Sequence, residues 1–230
     1  MMIDIHSHIL PGVDDGSRDL QMSVGMLSAM KQQDVETVVA TPHFYALQDK
    51  PEDFLKRRGD AFALLQTQRD LPQVLLGAEV AYFDGMSNSQ SLMQMRLGDS
   101  NLLLVEMPFG PWSPRMIREL SMLPIQLGLR PVLAHIDRYR RRDQFSQYAQ
   151  QLLEQGALFQ CNAQAFVDFS TRHWALKKLA NGQIHFLGSD THNLTTRAPN
   201  LERAAQIIAR KLGSDILNEM TEEAKILLNI

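Results

Sequence analysis

The chain has 230 residues, with 23 Lys and Arg against 26 Asp and Glu and a net charge of -3. That length is enough for one sizeable core, and the charge balance leaves no electrostatic footprint for nucleic acid. The lone Cys161 excludes an internal disulfide or a cysteine zinc cluster, and no apolar run approaches the ~20 residues of a spanning helix.

The first apolar run, residues 2–5, reads as a strand that ends in His6-Ser7-His8, a spacing that lets two imidazoles grip one cation. Asp14-Asp15-Gly16 reads as a turn, or as a turn that delivers one carboxylate to a site. Leu20, Val24, Leu27 and Met30 recur at helical spacing, with Ser17 as the expected cap. A strand over 35–40 leads to His43, and Pro51 opens a helix lined by Phe54, Phe62 and Leu65. Strands over 74–79 and 102–106 end in Glu79 and Glu106, where a carboxylate needs a cation or a salt bridge. Tyr82, Phe83 and Met86 follow the first of these, and Phe109 to Trp112 the second; they read either as an aromatic wall for a substrate or as ordinary packing. Ser113-Pro114 opens a third helix that stops near Gly128. The strand over 131–134 ends in His135, followed by Arg138 and the basic turn Arg140 to Arg142. A helix over 144–155, a strand over 158–161 and a helix over 172–180 come next. The last strand, 184–188, leads to Asp190-Thr191-His192 and Arg197, then to helices over 196–212 and 215–229. Ile216, Leu217, Ile226 and Leu227 are expected to pack the tail.

Strands alternating with helices fit an α/β barrel or a doubly wound sheet. Six of the seven strands end in a candidate ligand, namely His6, His43, Glu79, Glu106, His135 and Asp190. A ring of strand ends is where a barrel collects its chemistry, whereas a doubly wound sheet uses one switch point. Closing the barrel makes the first and last strands neighbours, which unites His6, His8, Asp190 and His192. His173 and His185 lie outside this pattern and read as surface or hydrogen-bonded structural residues. Mixed imidazole and carboxylate ligands suit Mn, Fe or Zn better than Ca or Cu(I). Arg138 and Arg197 follow ligand-bearing segments closely, as a guanidinium clamp for phosphate oxygens would. There is no glycine-rich phosphate loop and no His-Glu-x-x-His. No arginine follows Cys161 within the next six residues, so a thiol-based phosphatase is not expected.

The blocks running from Met2 to Gly16, Ala40-Thr-Pro-His43, Leu76-Gly-Ala-Glu79, Val105-Glu106, Pro131 to Arg138, and Gly188-Ser-Asp-Thr-His-Asn193 resemble the PHP (polymerase and histidinol phosphatase) superfamily. Within it they are most similar to the bacterial capsule and exopolysaccharide protein-tyrosine phosphatases. The resemblance implies one domain over residues 1–230, a distorted (β/α)7 barrel holding three divalent ions, commonly Mn, with Fe, Zn or Mg as alternatives. It implies one ion on His6, His8, Glu79 and Asp190, a second on Glu79, Glu106 and His135, and a third on Asp15, His43 and His192. Arg138 and Arg197 match the family's phosphate-binding arginines, although His135-Ile136-Asp137-Arg138 stands where members often read His-Pro-Glu-Arg. The implied activity is hydrolysis of phosphotyrosine by metal-activated hydroxide. The implied partner is a membrane-associated tyrosine autokinase that regulates polysaccharide export, met in the cytoplasm without membrane insertion; the chain starts in a strand and not in a leader. Competing expectations are a small-molecule phosphoesterase of the histidinol phosphatase type and a non-catalytic module that binds metal or phosphoprotein.

Overall fold

A computed structural model describes residues 2–142 and 144–230. Seven parallel strand positions form a ring. They are β1 (Met2–Ser7), β2 (Val35–Ala40, resumed as His43–Phe44), β3 (Gln73–Leu76, resumed as Glu79–Ala81), β4 (Leu102–Glu106), β5 (Arg130–Leu133), β6 (Leu158–Asn162) and β7 (Phe186–Gly188). Pairing runs in chain order, with β1 on β2, β2 on β3, and so on to β7. Thr41-Pro42 and Gly77-Ala78 interrupt β2 and β3 at the same level. The backbone bonds Gly77 N to Ala40 O (2.8 Å) and Glu79 N to Pro42 O (3.1 Å) carry the pairing across the break. The ring closes where Ser7 bridges Thr191, with Asp190 N donating to His6 O at 2.8 Å and His8 N to Thr191 O at 2.9 Å. The expected adjacency of first and last strands is therefore present, and the fold is the distorted seven-stranded barrel.

Among the described residues eight α-helices surround or plug the ring: α1 (Leu20–Gln32), α2 (Pro51–Gln66), α3 (Pro114–Leu127), α4 (Phe145–Glu154), α5 (Gln164–Val167), α6 (Phe169–Ala180), α7 (Leu201–Leu212) and α8 (Asp215–Leu228). Met26, Leu27 and Met30 of α1, Ile117 and Leu120 of α3 and Ile207 of α7 pack on outward strand residues such as Val38, Leu103 and Phe159. A second cluster fills the barrel: Ile3, Ile5, Val39, Leu102, Leu104, Val132, Leu158 and Phe186, closed below by Ala224 and Leu228 of α8. Period-two alternation carries this inward face up β4 to Glu106 and up β6 to Gln160 and Asn162. Strand β1 cannot rely on alternation alone. Its register slips between Asp4 and Ser7. The extra residue of that bulge turns His6 and His8 inward above Ile3 and Ile5.

Several sequence-based expectations need correction. Asp19, not Ser17, caps α1, accepting from Met22 N at 2.8 Å. Ser17 instead bonds Asp19 O and Ser23 Oγ. Helix α7 starts at Leu201 because the amides of Thr195, Thr196 and Arg197 are taken by the Asn193 side chain. Helix α6 starts earlier than expected, at Phe169. Ile226 faces solvent, 76% exposed, and Leu228 takes the inner position at the end of α8. Met86 and Trp112 are buried; Trp112 donates to Pro108 O at 3.0 Å and meets Tyr139 and Phe145 edge-on. For these two, packing is the role, and the aromatic-wall reading fails.

His185 behaves as the structural histidine its position suggests. Its Nδ1 accepts from Phe159 N at 3.1 Å. Burial, assisted by Arg130, lowers its pKa to about 4. The unfolded chain then takes up a proton near pH 6.5 while the folded chain does not, so stability is full above that pH and falls as pH drops from about 6.5 towards 4. We expect a loss of up to roughly 2–3 kcal/mol from this residue. His185→Asn keeps an acceptor without the titration. Chemical denaturation across pH 4–7 should give a shallower slope for that variant than for the parent.

Candidate metal centre

The nine residues expected as ligands converge at the upper rim of the barrel. His6, His8 and His135 have no solvent exposure and Glu79 has 1%. Glu79 is the hub: Oε2 lies 3.1 Å from His6 Nε2, 3.3 Å from His8 Nε2 and 3.0 Å from His43 Nδ1, and Oε1 lies 2.8 Å from His135 Nε2. Glu106 approaches His135 Nε2 at 3.3 Å. Asp190 Oδ1 faces His6 Nε2 (3.6 Å) and His8 Nε2 (3.5 Å). Asp15, the most exposed member, lies 3.6 Å from His43 Nε2 and 3.4 Å from His192 Nε2. Three groupings bring ligand atoms within 4.8 Å of one another: His8, Asp15, His43 and His192; His6, His8 and Asp190; and His43, Glu79 and Glu106. His8 and His43 each reach two of these groupings, a sharing that the expected sets did not include.

The supporting hydrogen bonds fix which nitrogens point inward. His6 Nδ1 donates to Gln160 Oε1 (3.1 Å), His8 Nδ1 to Asp14 Oδ2 (2.6 Å) and His192 Nδ1 to the Asp190 carbonyl (3.0 Å). Each bond leaves the Nε2 lone pair facing the cluster. Glu79 Oε2, His43 Nδ1 and His192 Nε2 are buried without a hydrogen-bond partner. Buried acceptors with no donor are costly. Imidazole nitrogens gathered with carboxylate oxygens are the donor set that divalent transition cations take, so these residues fit such ions.

The electrostatics agree. Burial alone would raise the Glu79 and Asp190 carboxyls. The surrounding histidines hold both well below the usual range, and Arg138 adds to the effect at Asp190. Burial alone would lower the His8 ring, but Asp14, Asp190 and Glu79 hold it well above its ordinary value. Burial would raise Asp14, yet the His8 contact keeps it at about 2. Glu79, Asp190 and Asp14 are thus ionised, and at these positions protons compete with cations only for the neighbouring imidazole nitrogens.

Three positioning residues escaped the sequence reading. Asp14 accepts from Gly16 N (3.0 Å) in an Asx turn, while its other oxygen accepts from His8 Nδ1 and His43 N (3.0 Å). The first Asp of Asp-Asp-Gly therefore orients two histidines, and the second faces the site. Gly16 is required beside it, because a Cβ there would stand 2.2 Å from the His8 carbonyl. Gln160 Oε1 also accepts from His135 N at 2.5 Å, and Asn162 Nδ2 donates to Asp190 Oδ2 at 2.9 Å. Their i, i+2 spacing in β6 was the available signal. His135 and Asp190 both have left-handed backbones, with φ of 32° and 52°. Non-glycine residues hold that conformation at a cost of about 1–3 kcal/mol each, here retained by the bonds just named.

Arg138 sits on a one-turn 3-10 helix, Ile136–Tyr139, that starts at His135. Its Nη2 bonds Asp190 Oδ2, and Arg197 Nη2 bonds Asp190 Oδ1 at 2.6 Å. Both guanidiniums are about one-third exposed, at 33% and 37%. A polar cavity of about 590 Å³ opens beside them, lined by Arg140, Gln164, Thr195 and Asn200 among others. Cys161 is buried, and burial, with Asp137 nearby, pushes its thiol well up. It is no nucleophile.

Residues 2–229 match the family described as capsular polysaccharide synthesis, CpsB/CapC. The tyrosine-protein phosphatase YwqE of Bacillus subtilis is 32% identical over 99% of this chain and 91% of its own. The tyrosine-protein phosphatase CpsB of Streptococcus agalactiae serotype V is 30% identical over 95% of this chain and 94% of its own. A solved structure, described among YwqE from Bacillus subtilis and CpsB from Streptococcus pneumoniae as unique metal-dependent tyrosine phosphatases, superposes with a TM-score of 0.87. It shares 29% identity, with 99% of this chain and 94% of that one covered.

Proposed function

The chain belongs to the CpsB/CapC family, and from that premise we propose that it is a metal-dependent protein-tyrosine phosphatase acting on phosphoproteins of capsular or exopolysaccharide synthesis. The observation that carries this reading is the convergence of imidazoles and carboxylates on Glu79 beside two partly exposed arginines.

In this reading His6, His8, Asp15, His43, Glu79, Glu106, His135, Asp190 and His192 hold three divalent ions, with Mn as the working choice. Ions bound there would polarise phosphate oxygens and make hydroxide available near neutral pH. The chain's own residues do the rest. Arg138 and Arg197 take phosphate oxygens and balance the charge that builds on them in the transition state. Asp14, Gln160 and Asn162 hold the ligand rings and carboxylate in one orientation. A phenol leaves with a pKa of about 10, so departure of tyrosine asks less of a general acid than departure of an alkoxide does. With Cys161 buried, no phosphocysteine forms. The whole described chain works as one unit, and its partner is a tyrosine autokinase at the membrane. No helix among the described residues is long and apolar enough to cross a membrane, which fits action from the cytoplasm.

The test is a substrate panel on metal-replete protein: a phosphotyrosine peptide, a phosphoserine peptide, a sugar phosphate and histidinol phosphate. The expected result is the highest kcat/KM on the phosphotyrosine peptide. A higher value on histidinol phosphate would transfer the assignment to small-molecule phosphoester hydrolysis.

A further inference from the structure

Three aromatic rings outside the ligand set approach its histidines; Tyr139 is buried and tilted against His135 at 5.6 Å, and two others stack. Tyr45, just beyond β2, stacks on His43 with centroids 5.3 Å apart and planes at 28°. Phe109, just beyond β4, lies nearly parallel to His135, with centroids 6.2 Å apart and planes at 12°. His43 contacts Glu79 Oε2 at 3.0 Å, and His135 contacts Glu79 Oε1 at 2.8 Å. The two rings therefore bracket one carboxylate, each resting on a different histidine against a different oxygen. Strand order puts them on either side of β3, at the Glu79 and Glu106 end of the cluster. The arginines stand over Asp190. Phe109 is 44% exposed, an aromatic held at the rim without being absorbed into the core, unlike Trp112 only a few residues on.

We infer that Tyr45 and Phe109 form the two walls of a slot that selects an aromatic phosphoester, receiving the phenyl ring while the phosphate reaches the arginines. The inference rests on the phosphatase reading above and adds to it the residues that set aryl preference. Flat aromatic walls favour a ring by offset or edge contacts. An alkyl chain such as that of phosphoserine gains far less from them. The polarity of the site follows: ester oxygen towards Glu106, non-bridging oxygens towards Arg138 and Arg197.

The test compares binding of phenylphosphonate with binding of inorganic phosphate, by calorimetry on the metal-replete protein and four variants: Phe109→Ala, Tyr45→Ala, Phe109→Tyr and Tyr45→Phe. Each alanine variant should weaken phenylphosphonate by about fivefold or more, with phosphate binding within twofold of the parent. The ring-retaining variants should stay close to the parent for both ligands. Equal weakening of both ligands in the alanine variants would show that the rings only support His43 and His135, and would overturn the slot. Undiminished phenylphosphonate binding would also overturn it, placing the substrate ring in the cavity beside the arginines instead. A parent protein that binds neither ligand and turns over no phosphotyrosine would sink the phosphatase reading itself, a result distinct from either of these.

Discussion

Glu79→Gln should lower kcat/KM on a phosphotyrosine peptide by about 10³-fold or more, equivalent to roughly 4 kcal/mol of transition-state stabilisation. The expectation follows from the position of one carboxylate. Its two oxygens are approached by His6, His8, His43 and His135, all at 3.3 Å or less. An amide keeps the shape but has one acceptor where the carboxylate has two, and it aims N–H groups at imidazole lone pairs. Cations held in common by Glu79 under the proposed reading would lose an anionic ligand. Each bound ion supplies several kcal/mol of charge stabilisation, so the loss falls on kcat as well as on affinity. The same amide can hydrogen-bond the histidines in metal-free protein, so the variant should fold and melt near the parent. Mass spectrometry of metal content should show at least one ion fewer per chain. A variant with parental metal content and parental kcat/KM would remove Glu79 from the hub.

The second large effect is at the arginines, and it separates from the first by metal content. Arg138→Ala should reduce kcat/KM by about 10²–10³-fold, the cost of removing one preorganised donor to developing charge, with metal content unchanged. Arg138→Lys should recover part of the loss, because an ammonium supplies charge without the planar fork. Arg197→Ala should behave in the same way, since Arg197 approaches the other oxygen of Asp190. Loss of metal in Arg138→Ala would mean that the guanidinium serves chiefly to hold Asp190 in place.

The convergence of these side chains was legible in the sequence because the candidate ligands sit at strand ends. Apolar runs mark the strands, and a histidine or carboxylate that breaks the run is visible as an exception, as at Glu79, Glu106 and His135. Ring closure then follows from the resemblance of Asp190-Thr191-His192 to His6-Ser7-His8. The less legible parts depend on local backbone geometry. The bulge between Asp4 and Ser7 carries no compositional mark, yet without it alternation would turn His6 away from the barrel interior. The left-handed backbones at His135 and Asp190 are equally silent, because non-glycine residues adopt them only when tertiary bonds hold them. Asp14 was obscured by its neighbour: two adjacent carboxylates share one motif, and only the Asx turn shows which one hydrogen-bonds His8 Nδ1 and the His43 amide. Ser17 was displaced as a cap because Asp19 stands nearer the first helical turn with the same chemistry. Trp112 and Phe109 differ by only a few positions and are both aromatic, so nothing in composition distinguishes a core ring from a rim ring.

The most direct measurement combines metal counting with turnover on the same sample. Protein purified without chelator would be analysed for bound metal by mass spectrometry and assayed on a phosphotyrosine peptide, then stripped and assayed again, then reloaded with Mn. The predicted result is about three divalent ions per chain, phosphotyrosine hydrolysis that disappears on stripping, and recovery that rises with reloaded Mn. Full phosphotyrosine hydrolysis by protein shown to carry no metal would contradict the account at its centre.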